Sequence, residues 1–288
     1  MEIAIFKRLK KIKRQFLSGY YVVESWIANF FGAQVLRYCL AAFSLYVRRL
    51  KFSKNITELD DTLHKDGLCI LKDFLSVQQV DMVNLEFNKV LRYPTDSFED
   101  GSTYIKRSTL ADFDIVPCVS EHILKNPSVI NLVQNAEGRQ YDVGEAWFDI
   151  VQNGDPAVSD SQKVMHTDNF YATHKMWYFL DDVTLEHGPL VVAPGTSRFS
   201  FTRAIFEYLN SINYASQNIA WRPSARWKKI FKLRPMPVVV PANTLVIANT
   251  HAFHQRGDAV EGMERRQIHF RMRIDPMKKM FSFVGDRY

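Results

Sequence analysis

The chain has 288 residues, enough for one large domain or two small ones, and its hydrophobic (47%) and charged (24%) fractions place it among globular rather than disordered chains. Its three cysteines, Cys39, Cys69 and Cys118, lie far apart with no CxxC pair, which excludes a disulfide-built scaffold and points to a reducing, cytoplasmic setting. The net charge of +6 is local: residues 1–54 hold eleven Lys/Arg against Glu2 and Glu24, a net +9, so the remainder carries −3 and gives no basis for nucleic-acid binding by the body.

Residues 1–54 read as an appendage, a basic amphipathic helical extension ahead of a body spanning 55–288. Apolar residues at 3, 6, 9, 12, 16 and 17 recur among cations at near-helical spacing. Residues 20–50 are more apolar, but Glu24 and Arg37 interrupt them, and the uncharged run 25–36 is shorter than the ~20 residues a bilayer span needs. Three readings stand for this extension: a helical cap docked on the body, a basic helix lying on the anionic inner face of a membrane, or a targeting segment.

In the body, residues 57–64 predict a short helix that stops before Asp66-Gly67, and residues 68–74 a strand. Ser76 and Gln79 have capping-box spacing and start a helix running to about Leu91. Residues 93–109 are polar with Pro, Asp and Gly, and predict a loop able to act as a lid. Helix follows within 117–133, then strands at 146–151, 175–183 and 190–196, a helix at 201–217, and strands at 236–243, 244–250 and 266–274. The turns are Asn153-Gly-Asp-Pro, Glu186-His-Gly-Pro and Pro194-Gly. Many short strands after early helices predict a mainly β fold: a double-stranded β-helix, or jelly-roll barrel, with helices outside.

The chemistry concentrates in Val164-Met-His-Thr-Asp168. Residues two apart in extended chain point the same way, so His166 and Asp168 present an imidazole and a carboxylate on one face. A third ligand is available in Asn249-Thr-His-Ala-Phe-His254, from His251 or His254. Two imidazoles and one carboxylate, with positions left open, suit non-haem Fe(II). His64, His122, His174 and His187 read as surface or structural, and His269 as a satisfied core histidine or, alternatively, as a residue lining the barrel.

His166-Thr-Asp168, Lys175-Met-Trp-Tyr-Phe-Leu-Asp-Asp-Val183 and Gly188-Pro-Leu-Val-Val-Ala-Pro-Gly195, in this order, resemble the core of the phytanoyl-CoA dioxygenase family. Lys65-Asp-Gly-Leu-Cys-Ile-Leu-Lys-Asp-Phe-Leu-Ser76 resembles its opening strand and helix, so the resemblance covers residues 57–274. It implies an Fe(II)- and 2-oxoglutarate-dependent oxygenase on a jelly roll, with O2 as the other cosubstrate. The implied metal ligands are His166, Asp168 and His254. Arg265 is the implied anchor of 2-oxoglutarate, a role a guanidinium fork fills better than an ammonium, with Arg266 as its rival. Lys175 matches a lysine of one family branch and is implied to contact the cosubstrate or substrate. The carboxylate Asp168, where related halogenases carry a small residue, implies hydroxylation of an unactivated C–H, or a related oxidation, with release of succinate and CO2.

The substrate is less constrained. Residues 221–234 hold six cations and no acid, interleaved with aromatics. They read either as a solvated basic face or, with the N-terminal arm, as a sign of a small lipid-like substrate and peripheral membrane contact. Two alternatives come from other classes: a membrane-associated scaffold that keeps the barrel without turnover, and a cupin-like metalloenzyme that does not use 2-oxoglutarate.

Overall fold

Capping chemistry sets the first elements of the body. The computed structural model describes residues 2–19, 21–53, 55–92, 96–213 and 221–272. Thr57 and Asp60 exchange backbone and side-chain hydrogen bonds at the start of α4 (Glu58–Asp66), which Gly67 ends in the left-handed region at φ 75°. Strand β1 (Leu68–Leu71) follows and is shorter than the sequence suggests, because Asp73 turns at φ 48°. Ser76 and Gln79 then form the expected reciprocal cap of α5 (Val77–Val90).

Residues 96–110 correct the sequence reading. They form a hairpin of β2 (Asp96–Glu99) and β3 (Thr103–Leu110), whereas residues 93–95 of the expected loop lie outside the described residues. The hairpin is polar because β3 lays Arg107 and Ile105 along a cavity rather than a dry core. Next come a short helix α6 (Pro117–Val119), a π-helical turn (Ser120–Leu124), α7 (Pro127–Glu137) and β4 (Val143–Asn153). The rest is β5 (His174–Phe179), β6 (Leu190–Val192), α8 (Phe201–Asn213), α9 (Ala225–Ile230), β7 (Met236–Pro237), β8 (Thr244–Asn249), β9 (His254–Arg256) and β10 (Glu264–Met272). The expected ends of the 201–217 helix and the 266–274 strand lie outside the described residues.

The strands form two antiparallel sheets. The larger runs β1-β8-β5-β10-β4-β3-β2 and the smaller β7-β6-β9. Isolated bridges, among them His166 to His254 and Val183 to Val240, tie their edges. The sheets face each other as in a jelly roll, but they do not close into the barrel that the sequence suggested; the small sheet is too short to complete the hydrogen-bonded ring.

Alternation along the large sheet separates its faces. Ala146 and Phe148, Met176 and Tyr178, and Ile268 and Phe270 point outward into a buried core with Val83, Phe87 and Val90 of α5 and Val129 and Leu132 of α7. Each such side chain contributes roughly 1.5–3 kcal/mol on burial. The intervening residues Trp147, Asp149, Lys175, Trp177, Arg265, Gln267 and His269 face a cavity of about 330 Å³ between the sheets.

Three helices precede this body: α1 (Glu2–Phe16), α2 (Trp26–Phe30) and α3 (Ala33–Phe52). Among the described residues no helix is long and apolar enough to cross a membrane. Helix α3 is fastened to the body by buried polar groups. Arg37, which breaks the apolar run in the sequence, is fully buried; it donates to the Phe16 and Ser18 carbonyls and to Gln34 Oε1. Gln34 Nε2 donates to Glu207 Oε2 of α8 at 3.1 Å, and Trp221 Nε1 donates to the same oxygen at 2.8 Å. Arg203 Nε binds the other Glu207 oxygen at 3.1 Å. A buried carboxylate so fully paired is costly to disturb, because removing one partner leaves a charge without compensation.

Candidate metal centre

His166 and His254 meet across a narrow antiparallel bridge. Each backbone N–H donates to the other residue's carbonyl, at 2.9 and 2.8 Å. Asp168 N donates to the Thr250 carbonyl, which fixes the third side chain beside them. The donor atoms of His166, Asp168 and His254 all lie within 4.8 Å of one another.

Both imidazoles are set the same way. His166 Nδ1 bonds the Val164 carbonyl at 2.8 Å and His254 Nδ1 the Ala252 carbonyl at 2.9 Å, each two residues back. The proton is thereby held at Nδ1, and the Nε2 lone pairs are left for a metal. Those Nε2 atoms stand 3.7 and 3.6 Å from Asp168 Oδ1, beyond hydrogen-bond range, and His166 Nε2 is buried with no hydrogen-bond partner. A buried orphan nitrogen facing a carboxylate and a second free nitrogen is the arrangement that a divalent cation satisfies. Burial first, then the neighbouring His254, holds the His166 imidazole down at about 4, so it is neutral. Burial opposes ionisation of Asp168, yet Lys175 and His254 hold its carboxyl well below the ordinary range. The donor set therefore fits a hard or borderline divalent metal at neutral pH.

Thr167, between the two ligands, anchors them. Its Oγ1 accepts from Arg203 Nη2 at 3.1 Å and lies 2.9 and 3.0 Å from the Asn169 and His251 carbonyls. Lys175 Nζ pairs with Asp168 Oδ2 at 2.7 Å.

The two rivalries left by the sequence separate cleanly in space. Arg265 lies on the cavity with Gln267 and His269, whereas Arg266 points out, pairs with Asp181 at 2.5 Å and stands over the Phe87 ring. His254 lines the metal cavity, whereas His251 lies behind it, edge-on to Tyr38 of α3.

Arg265 is buried, and among the described residues it has no acidic partner in an ion pair. Its Nε donates to Gln267 Oε1, and its Nη1 to the carbonyls of His187 and Gly188. The 186–189 turn offers those carbonyls because Gly188 adopts φ 60°, and a Cβ there would sit 2.9 Å from Gly257 O. Burial, with Arg256 nearby, lowers the Arg265 guanidinium to about 9 against the pull of Asp149. A buried guanidinium held by carbonyls alone calls for an anion in the cavity.

The other cations there are already matched. Arg107 grips Asp149 through two bonds of 2.6 and 2.8 Å, and Arg256 binds Asp100 and Asp160. His269 departs from the reading of a satisfied core histidine and follows the alternative: it lines the cavity, stacks on Trp177, meets Trp147 edge-on, and its Nε2 has no hydrogen-bond partner. The Arg107–Asp149 pair and this aromatic wall were missed from the sequence, although the alternation of β4 puts Trp147 and Asp149 on the face of neither Phe148 nor Ile150.

Comparison with known proteins agrees with this geometry. The family model described as phytanoyl-CoA dioxygenase matches residues 63–257. Comparison with curated protein sequences gives no match. Among solved structures, the non-heme alpha-ketoglutarate-dependent epimerase SnoN from nogalamycin biosynthesis aligns at 14% identity and TM-score 0.55, covering 74% of this chain and 80% of its own. SnoN has also been solved with Fe3+, alpha-ketoglutarate and nogalamycin RO. The carbocyclase SnoK, also from nogalamycin biosynthesis, aligns at 14% identity and TM-score 0.50, covering 77% and 85%. EctD from S. alaskensis, in its apoform, aligns at 12% identity and TM-score 0.52, covering 75% and 76%. At these identities the structures share the fold.

Proposed function

Since the chain belongs to the phytanoyl-CoA dioxygenase family and is thereby an Fe(II)/2-oxoglutarate-dependent oxygenase, we propose that it hydroxylates an unactivated C–H bond of a small or lipid-like molecule. The observation that carries this reading is one cavity holding both a His-Asp-His cluster and a buried guanidinium that has no acid partner in an ion pair among the described residues.

His166, Asp168 and His254 would hold the iron, and Arg265 the far carboxylate of 2-oxoglutarate. When bound, iron and 2-oxoglutarate supply the oxidising power: O2 is consumed, the 2-oxo acid is split to succinate and CO2, and a C–H bond gains a hydroxyl. The chain's own part is orientation. Val164 and Ala252 fix the two imidazoles, and Lys175 holds Asp168 charged and turned toward them. Lys175 lines the same cavity, which supports a contact with the cosubstrate or the substrate as well. Trp147, Trp177 and His269 form an aromatic wall of the cavity, which would limit the water that reaches the reacting centre. Asp168 supports hydroxylation over halogenation, because its carboxylate would occupy the ligand position that a small residue leaves to a halide.

The test is anaerobic. Fe(II) and 2-oxoglutarate added to the metal-free protein should give the visible charge-transfer band of a chelated 2-oxo acid, and admitting O2 should release succinate. A metal-bound protein without the band would favour the cupin-like alternative, and failure to bind iron the scaffold.

We infer also a cytoplasmic protein that touches the inner face of a membrane through residues 1–50. In its support, Phe6 and Leu9 of α1 are exposed at 69% and 59% beside Lys7, Lys10 and Lys13, and Trp26, Ile27, Phe30 and Phe31 are exposed around α2. Binding to anionic vesicles that equals binding to neutral ones would remove the electrostatic part of this reading.

A further inference from the structure

A second cavity, of about 490 Å³, lies beneath helix α3, within the ~300–1,000 Å³ range of small-molecule sites. No residue lines both it and the metal cavity. Its walls are apolar: Ala41, Ala42 and Leu45 of α3 face Leu63, Phe170 and Phe199 of the body. The polar groups that line it are unevenly charged. Two guanidiniums, Arg49 and Arg198, stand against a single lining acid, Asp61, with the imidazoles of His64, His174 and His251 also on the wall. Arg49 is bonded to His64 Nδ1, and neither arginine has an acidic partner in an ion pair among the described residues. Burial lowers the pKa of the Arg49 guanidinium against the pull of Asp60 and Asp61, and burial together with Arg49 and Arg198 lowers that of His64, which favours its neutral form.

We propose that this cavity is a binding site for a long-chain carboxylic acid, separate from the iron site, with the chain between α3 and Phe170 and the carboxylate at Arg49 and Arg198. The apolar lining selects the tail by area removed from water. The two guanidiniums select the head, because each offers a fork that matches a carboxylate. The position of the cavity explains why α3 carries Ala41 and Ala42 where a well-packed helix would bury larger side chains: small residues leave the space. The inference does not depend on the iron chemistry.

The experiment is a fluorescence titration of the full-length protein with a long-chain polyene fatty acid and with its methyl ester. The acid should bind saturably at one site, and the ester at least about tenfold more weakly. Arg198→Glu, at an exposed position that the fold does not need, should weaken acid binding by a similar factor and leave ester binding unchanged. Ala42→Trp, which fills the cavity, should abolish acid binding while the anaerobic 2-oxoglutarate band stays intact; Leu45→Trp serves the same purpose if Ala42→Trp lowers the melting temperature. Equal affinity for acid and ester would overturn the assignment of the head group. Undiminished binding in a folded occluded variant would place the probe on the exposed apolar surface and overturn the site. No binding of either probe would overturn it outright.

Discussion

The two cavities share a wall and have opposite characters. The segment from His166 to Lys175 separates them: Asp168 and Lys175 face the space between the sheets, while Phe170, Tyr171 and His174 face the space beneath α3. On the sheet side, charge is dense and nearly all matched, with one guanidinium left over. On the helix side, the lining is apolar and the charge is gathered among a few residues. Chemistry at a metal needs many polar groups fixed against one another, and here a sheet with alternating faces supplies them. Helix α3, packed against α7 and α8, supplies shape and apolar area instead.

The strongest way to break this contrast is Asp168→Ala. Fe(II) binding and succinate release should fall by more than about 100-fold, beyond the loss that a supporting group alone causes. Fatty-acid binding beneath α3 should survive. Glu207→Gln should instead disturb both sides, because Glu207 holds α3 through Gln34 and Thr167 through Arg203. It leaves the buried Arg203 without its countercharge, and the stability loss read by denaturant titration should be about 3–5 kcal/mol. Arg265→Ala sharpens the contrast within one strand. It should weaken 2-oxoglutarate binding by about 2–5 kcal/mol, measured calorimetrically. Arg266→Ala, one residue on, should leave that affinity unchanged and cost no more than about 1 kcal/mol of stability, because its pair with Asp181 is partly exposed. Lys175→Met should have the smallest effect at the metal itself, roughly a tenfold loss of Fe(II) affinity, since it supports a ligand through a single ion pair.

Much of the sheet side was legible in the sequence because it obeys short periods. The spacing of His166 and Asp168 is two, and so is that of Arg265, Gln267 and His269. Parity could not say which face of β10 looks inward; the helices that cover Ile268 and Phe270 decide that. The choice between His251 and His254 depended on the turn after β8, where Ala252 N closes back on the Asn249 carbonyl and sends the two rings to opposite sides. The β2–β3 hairpin escaped notice because its strands face a polar cavity and so lack the apolar alternation that marks a half-buried strand. The helix side was illegible for a plainer reason. Gln34 and Glu207 are 173 residues apart, and nothing local in either segment announces the other.

The fastening of Thr167 carries a consequence for sequence divergence. A threonine between two metal ligands would ordinarily be free to drift, yet here its hydroxyl is the end of a chain of contacts that runs through Arg203 and Glu207 to Gln34. Substituting any one of these strands a buried polar group, so single changes are disfavoured and joint changes are tolerated. In homologues that keep the N-terminal helices, positions 34, 167, 203, 207 and 221 should therefore vary together. In homologues that lack those helices, position 207 should lose its acid and position 203 its guanidinium as a pair, while His166 and Asp168 stay.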